Sequence, residues 1–426
     1  MDLNEYNAGD LLRTLPDEPP RPPSIDVARA MRDGRRRRRL RRRALAGGVL
    51  VLTLAAVAAV PVALAATRGP DRRPELAPAA SGSSGGTSAA AKAPPTVRAT
   101  ARAIAVPTSC KAEKLPIPDN VTMALVTAAD PTGSIIFGRS YPKGGDRQVL
   151  VWQDGRATKV AVPGADQAIS AVNAAGVGVG NSWVDSGPVA WLYRDGKVTK
   201  LPGGDGVTVA GINAAEVIVG NNGTGRPLIW SSPTAEPRPL ALPDDATGGI
   251  ASAIDEDGTV IGSIYTTIPG GVQTTAPDPR GVRAGVAYAW APDGTGRRLP
   301  APAVVSGTGY GAFTIRNGWV IGVNRPAGAP ASGLRWDLAT GTVETVPGFA
   351  TRPDTANASG WMVGTDPQGH GLMVAGDKRM QLPDPFQHKP STTSLLAVTI
   401  SDDGRTIAGQ ADDPSDTIRA IVWRCH

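Results

Sequence analysis

Histidine and cysteine are scarce in this chain: three of the first and two of the second among 426 residues. Three histidines cannot build a histidine-rich metal cage, and none stands in an HExxH pattern. A Ser-His-Asp triad would have to draw on His370 or His388, and no nucleophile elbow accompanies either. No cysteine precedes residue 110, so the first quarter of the chain carries no thiolate metal site. The Asp-rich turns further on lack the alternating oxygen ligands and closing Glu of a calcium loop. No metal is expected.

Basic residues are also scarcer than the formal charge of +6 suggests. Residues 1–43 carry 12 Arg against 7 acids, and residues 44–109 carry 6 bases against 2 acids. That leaves 26 bases and 29 acids beyond residue 109. The folded part is therefore slightly acidic and should not attract a phosphate backbone, which excludes nucleic acid as a partner.

One stretch lacks charge altogether. Ala44 to Ala66 spans 23 residues without an ionisable side chain. As a helix it would measure about 34 Å, enough to cross a hydrocarbon core of roughly 30 Å. Eight arginines between Arg35 and Arg43 precede it. The positive-inside rule then puts 1–43 in the cytoplasm as a mostly disordered basic tail and the rest outside the membrane. Residues 44–66 read as a signal anchor in contact with membrane lipid; a cleaved signal ending at Ala65 is the alternative. Residues 67–109, rich in Pro, Ala, Ser and Gly, read as a flexible linker.

What is abundant after the linker is repetition. Apolar runs close on Gly138, Gly180, Gly220, Gly262, Gly322, Gly364 and Gly409, each followed by another strand-like run. Four β-rich runs separated by turn residues make one four-stranded sheet, and Asp-Gly pairs at 154–155, 195–196 and 293–294 suit two-residue hairpins. The period is about 45 residues, that of a propeller blade. The fold expected for 110–426 is an all-β seven-bladed β-propeller, preceded by the transmembrane helix and linker. A Trp recurs in the third run, at Trp152, Trp191, Trp230, Trp290, Trp336 and Trp423, as a wedge between neighbouring sheets. The closing glycines are assigned to close sheet-to-sheet approach.

The seventh unit stops at its third run. Lys114-Leu115-Pro116 matches Lys200-Leu201-Pro202 and Arg298-Leu299-Pro300. Strand 111–116 is therefore expected to pair with 420–424 and close the ring. That pairing sets Cys110 beside Cys425, and outside the cytoplasm the two should oxidise to a disulfide.

The motifs INAAEVIVG (212–220) and VNAAGVGVG (172–180) make this pattern resemble the HAF extracellular repeat family. That family's units read IN-x-x-G-x-VVG and then G-x-x-HAF-x-W-x-x-G; His370 in GHGLMV keeps the His position. The resemblance implies a propeller-like repeat and brings no activity with it.

Function is expected on the rim where loop length varies, with Tyr265, Arg280, Arg283, Tyr310, Arg352, Phe386 and His388 as candidate binding residues. The reading is a membrane-anchored extracytoplasmic binding or sensing module for an envelope protein or glycan. The alternative is a propeller hydrolase or lyase acting on wall carbohydrate or a lactone. Asp130, Asp255, Asp354 and Asp402 stand near first strands and read as turn residues. No catalytic residue is assigned. No cofactor is called for, and calcium, though compatible with a propeller channel, is not indicated.

Overall fold

The computed structural model describes residues 104–142, 147–266, 285–303, 309–325, 330–350, 352–386 and 395–426. The apolar run 44–66 and its arginine flank lie outside these residues. Among the described residues no helix is long and apolar enough to cross a membrane.

Seven four-stranded antiparallel sheets follow one another, with no strand shared out of order except at the closure. Blades 1 to 6 span 121–160, 165–205, 207–239, 246–298, 310–346 and 355–381. Blade 7 takes three strands from 395–425 and its outer strand, Cys110–Lys114, from the start of the domain. Cys110 pairs with Cys425 and Lys114 with Ile421, and the Leu115 amide extends the ladder to the Ala420 carbonyl at 2.9 Å. The disulfide Cys110–Cys425 joins residues 315 apart in sequence. The folded unit starts earlier than its composition suggests. Ile104 and Val106, assigned above to the linker, pack on the blade 7 core, and the Thr108 amide donates to the His426 carbonyl at 2.7 Å.

The wedge tryptophans obey a common rule. Trp230, Trp290, Trp336 and Trp423 are fully buried. Each donates its indole N–H to a carbonyl behind the outer strand of the preceding blade: Pro202, Ala241, Pro300 and Pro383 at 2.6–2.9 Å. Trp152 does the same to Pro116 at 2.6 Å, across the closure. Trp191 departs from the rule. It pairs with Gly180, the position held by Leu150, Leu228 and Leu334 in other blades. Tyr193 takes the wedge position instead, edge-on to Phe137 at 5.1 Å. The half-buried Trp191 reaches the preceding blade through Ser182, which donates to the Pro163 carbonyl.

The closing glycines also have a different cause from the one expected. Each inner strand except that of blade 6 carries a β-bulge, leaving Thr127, Ser170, Ala210, Ser252, Phe313 and Val398 unpaired. The bulge swings an inner-strand carbonyl toward the second strand. A Cβ on Gly138, Gly180, Gly220, Gly262, Gly322 or Gly409 would overlap that oxygen within its own blade. Two Asp-Gly pairs, 154–155 and 195–196, hold both residues at positive φ as a type I′ turn requires. At 293–294 only the glycine does, and the Asp293 carboxylate accepts the Thr295 amide at 2.9 Å.

Candidate functional site

The inner strands point their C-terminal halves at a cavity of about 430 Å³ on the propeller axis. Its wall is built at two levels. The first holds the bulge residues Thr127, Ser170, Ala210, Ser252, Phe313 and Val398, with Asp354 of blade 6 in line with them. Blade 6 needs no bulge because its first strand is only Thr355–Ala356, and the Asp354 amide donates to the Val363 carbonyl at 2.8 Å. A bulge leaves its extra residue outside the ladder, which is what turns these side chains to the axis. The second level holds Ala128, Ala171, Gly211 and Ala253 from blades 1–4, then Thr314, Thr355 and Thr399 from blades 5–7. At this second level one arc is apolar and the other hydroxylated, while at the first level the hydroxyls, Thr127, Ser170 and Ser252, stand on blades 1, 2 and 4.

Charge gathers in the hydroxylated arc. The Arg352 guanidinium lies 4.5 Å from the centre of the Phe313 ring, a cation–π contact, and donates to the Pro353 carbonyl at 2.9 Å. Asp354 stands 3.8 Å from it, too far for a hydrogen bond. Burial raises the Asp354 carboxyl above the usual range, and Arg352 offsets this only in part. Burial likewise lowers the Arg352 guanidinium; Asp354 works against that shift and Arg325 adds to it.

The turn-side mouth carries a second cation. The Arg316 Nε and Nη2 donate to Asp402 of blade 7 at 3.1 and 2.5 Å, and Nη1 donates to Glu256 of blade 4 at 2.6 Å. Burial opposes the Arg316 charge, but the two carboxylates more than offset it and the guanidinium is held above its ordinary range.

Around this mouth runs a belt of buried turn residues: Asp130, Asn173, Asn213, Asp255, Asn357 and Ser401. The Asn173 amide donates to the Asn213 carbonyl of the next blade at 3.0 Å, and Asn213 to the Asp255 carbonyl at 3.2 Å. Asp255 accepts the Asn317 and Gly318 amides of blade 5 at 2.9 and 2.6 Å. Asn357 donates to the Ser401 carbonyl at 3.1 Å. Buried polar groups cost free energy unless paired, and here the pairing also stitches blade to blade. Asp130 and Asp255 are thus turn residues, as expected. Asp354 and Asp402, and Asp130 as well, line the cavity, which sequence reasoning missed. Counting three residues back from the belt position finds the whole first level, including Asp354 from Asn357.

The loop-rim candidates do not converge. Tyr310 is core: 7 % exposed, with its hydroxyl on the Leu299 carbonyl at 3.1 Å and its ring beside Trp336. It was read as a rim residue because it follows a long loop, yet it is the first residue of an inner strand. Phe386 is half-buried under the Lys114 ammonium, 4.7 Å from the ring centre. Tyr265 is half-buried at a strand end, and Arg352 turns into the cavity. Arg280, Arg283 and His388 lie outside the described residues. His370 sits in a hairpin of blade 6, its Nδ1 3.0 Å from Asp366, and does not line the cavity.

No protein-family model matches the chain, and no curated protein sequence does. Solved propellers are similar in fold. Virginiamycin B lyase from Staphylococcus aureus is 14 % identical, over 74 % of this chain and 99 % of its own, with a TM-score of 0.45. The propeller domain of the Trilobed protease from Pyrococcus furiosus is 9 % identical over 71 % and 95 %, with a TM-score of 0.47. A gluconolactonase from Xanthomonas campestris is 13 % identical over 76 % and 99 %, with a TM-score of 0.36.

Proposed function

We propose that the chain is a membrane-anchored, extracytoplasmic binding module for an envelope glycan, and that the axial cavity holds one sugar unit. The observation that carries this is Asp354. Its carboxylate lines the cavity and accepts no hydrogen bond among the described residues, unlike Asp130, Asp255 and Asp402. A carboxylate taken partly out of water without donors is costly unless a ligand supplies them.

The surroundings suit a sugar. Sugar hydroxyls donate to Asp354, accept from Arg352, and exchange both roles with Thr314, Thr355 and Thr399. The second-level Ala128, Ala171, Gly211 and Ala253 offer a small apolar strip for the C–H face of a ring, flanked by the hydroxyls of Thr127, Ser170 and Ser252. The cavity falls within the range of about 300–1,000 Å³ usual for small-ligand pockets.

Calorimetric titration of the full chain with D-glucose, D-galactose and N-acetylglucosamine tests the reading. At least one should bind, and Asp354→Asn should weaken it by about tenfold, the loss of one charge-assisted hydrogen bond. Binding by none of the three, or equal binding by the variant, overturns it. A second reading, the hydrolase or lyase, draws on the raised Asp354 carboxyl, which could hold a proton for transfer. It needs an acid–base partner in the cavity, and the other carboxylates there, Asp130 and Asp402, are already hydrogen-bonded within the fold. Release of reducing sugar from a wall digest, abolished by Asp354→Asn, would favour it.

A further inference from the structure

Resting on the saccharide reading, we propose that the channel is a blind socket. It accepts a free sugar or the end of a glycan chain, and only from the face opposite the hairpin turns; the N-terminal segment enters its strand on the hairpin-turn face.

Three observations carry this. The N-terminal segment enters its strand from the turn side. The strand Cys110–Lys114 begins there, beside Cys425, whose amide donates at 2.8 Å to the carbonyl of Arg405 in the blade 7 turn.

The mouth on that side is barred. Glu256 and Asp402 belong to blades nearly opposite in a ring of seven, and Arg316 joins them. The bar's ends are pinned in turn: the Ala214 amide donates to Glu256 at 2.7 Å and the Ala358 amide to Asp402 at 3.0 Å. Five consecutive blades thus hold it. The bar follows from a local exception. Arg316 occupies the belt position that is Asp, Asn or Ser in the other six blades. Blade 5 replaces the longer turn by a tight Asn317-Gly318 pair, both at positive φ. Asp255 takes over the blade 5 turn amides, which leaves the Arg316 side chain free to cross the mouth.

Toward the other face, among the described residues, the inner strands are exposed ahead of the bulges. Leu396 is 40 % exposed and Thr208 is exposed. A polymer cannot thread a channel barred at one end, so an internal unit of a long glycan has no way in.

Labelling separates the two routes without a ligand. Both native cysteines are in the disulfide, so Thr399→Cys in the full chain adds a single free thiol at the cavity wall. Iodoacetamide is small and uncharged, and rates are compared per thiolate, from the pH profile of each variant, because removing a charge shifts the thiol. Leu396→Trp should slow labelling by about tenfold, and Arg316→Ala should change it by less than about twofold. Asp402→Asn weakens the same bar and serves where Arg316→Ala does not fold. The reverse pattern, or indifference to both substitutions, overturns the socket and leaves the saccharide reading intact. No labelling of Thr399→Cys in any background means the cavity is unreachable, and both fall.

Discussion

The belt of turn residues and the polar arc of the cavity lie one turn of chain apart, yet they treat the same residue type in opposite ways. In the belt, Asp255 is 3 % exposed and accepts backbone amides from Glu256, Asn317 and Gly318. In the arc, Asp354 has an arginine at 3.8 Å and, among the described residues, no hydrogen-bond donor. A saturated carboxylate is there to hold blades together.

Substitutions sharpen the contrast. The largest loss is expected at the seams. Trp290→Ala should cost about 3–5 kcal/mol, as for other fully buried large aromatics, read from the shift in denaturation midpoint. Asp255→Ala should cost about 1–3 kcal/mol, because it leaves the Asn317 and Gly318 amides buried without acceptors. Trp191→Ala, at a half-buried position outside the wedge, should cost clearly less than Trp290→Ala; equal losses would undo the assignment of Tyr193 as the wedge of blade 2.

The smallest effect, and opposite in sign, belongs to Asp354→Asn. A carboxyl raised in the folded state stabilises the fold below its unfolded value of 3.8 and loses that contribution as pH rises through the folded value. At neutral pH the variant should therefore be as stable as the parent or more so, and the difference should vanish below pH 3.8. Melting curves across that window decide it, and destabilisation at pH 7 would make Asp354 one more structural turn residue.

Much of the scaffold was legible in the sequence because repetition marks it. The seven closing glycines, the borrowed strand at Lys114-Leu115-Pro116 and the two cysteines led to the right ring and the right closure. Trp191 misled because residue type was counted before distance. Tyr193 pairs with Gly178, two residues before the closing Gly180, just as Trp152 pairs with Ile136, two before Gly138, and that register sets which side chain enters the wedge. The cavity was harder to see. Its first level reads Thr, Ser, Ala, Ser, Phe, Asp, Val, with no shared chemistry, since a bulge is a backbone event that asks little of its side chain. Asp354 was further hidden by the shortened first strand of blade 6, which makes it look like part of a loop.

The clasp between Cys110 and Cys425 bears on how such a domain would withstand force. Any pull along the N-terminal segment reaches residue 110 before it reaches the outer strand of blade 7. Tension passes through the sulfurs into the third strand and the centre of the sheet, so the five-residue edge strand cannot be peeled away rung by rung. Under such a pull the domain would yield by disrupting the blade 7 sheet as a unit, unless a reductant had first cut the shortcut.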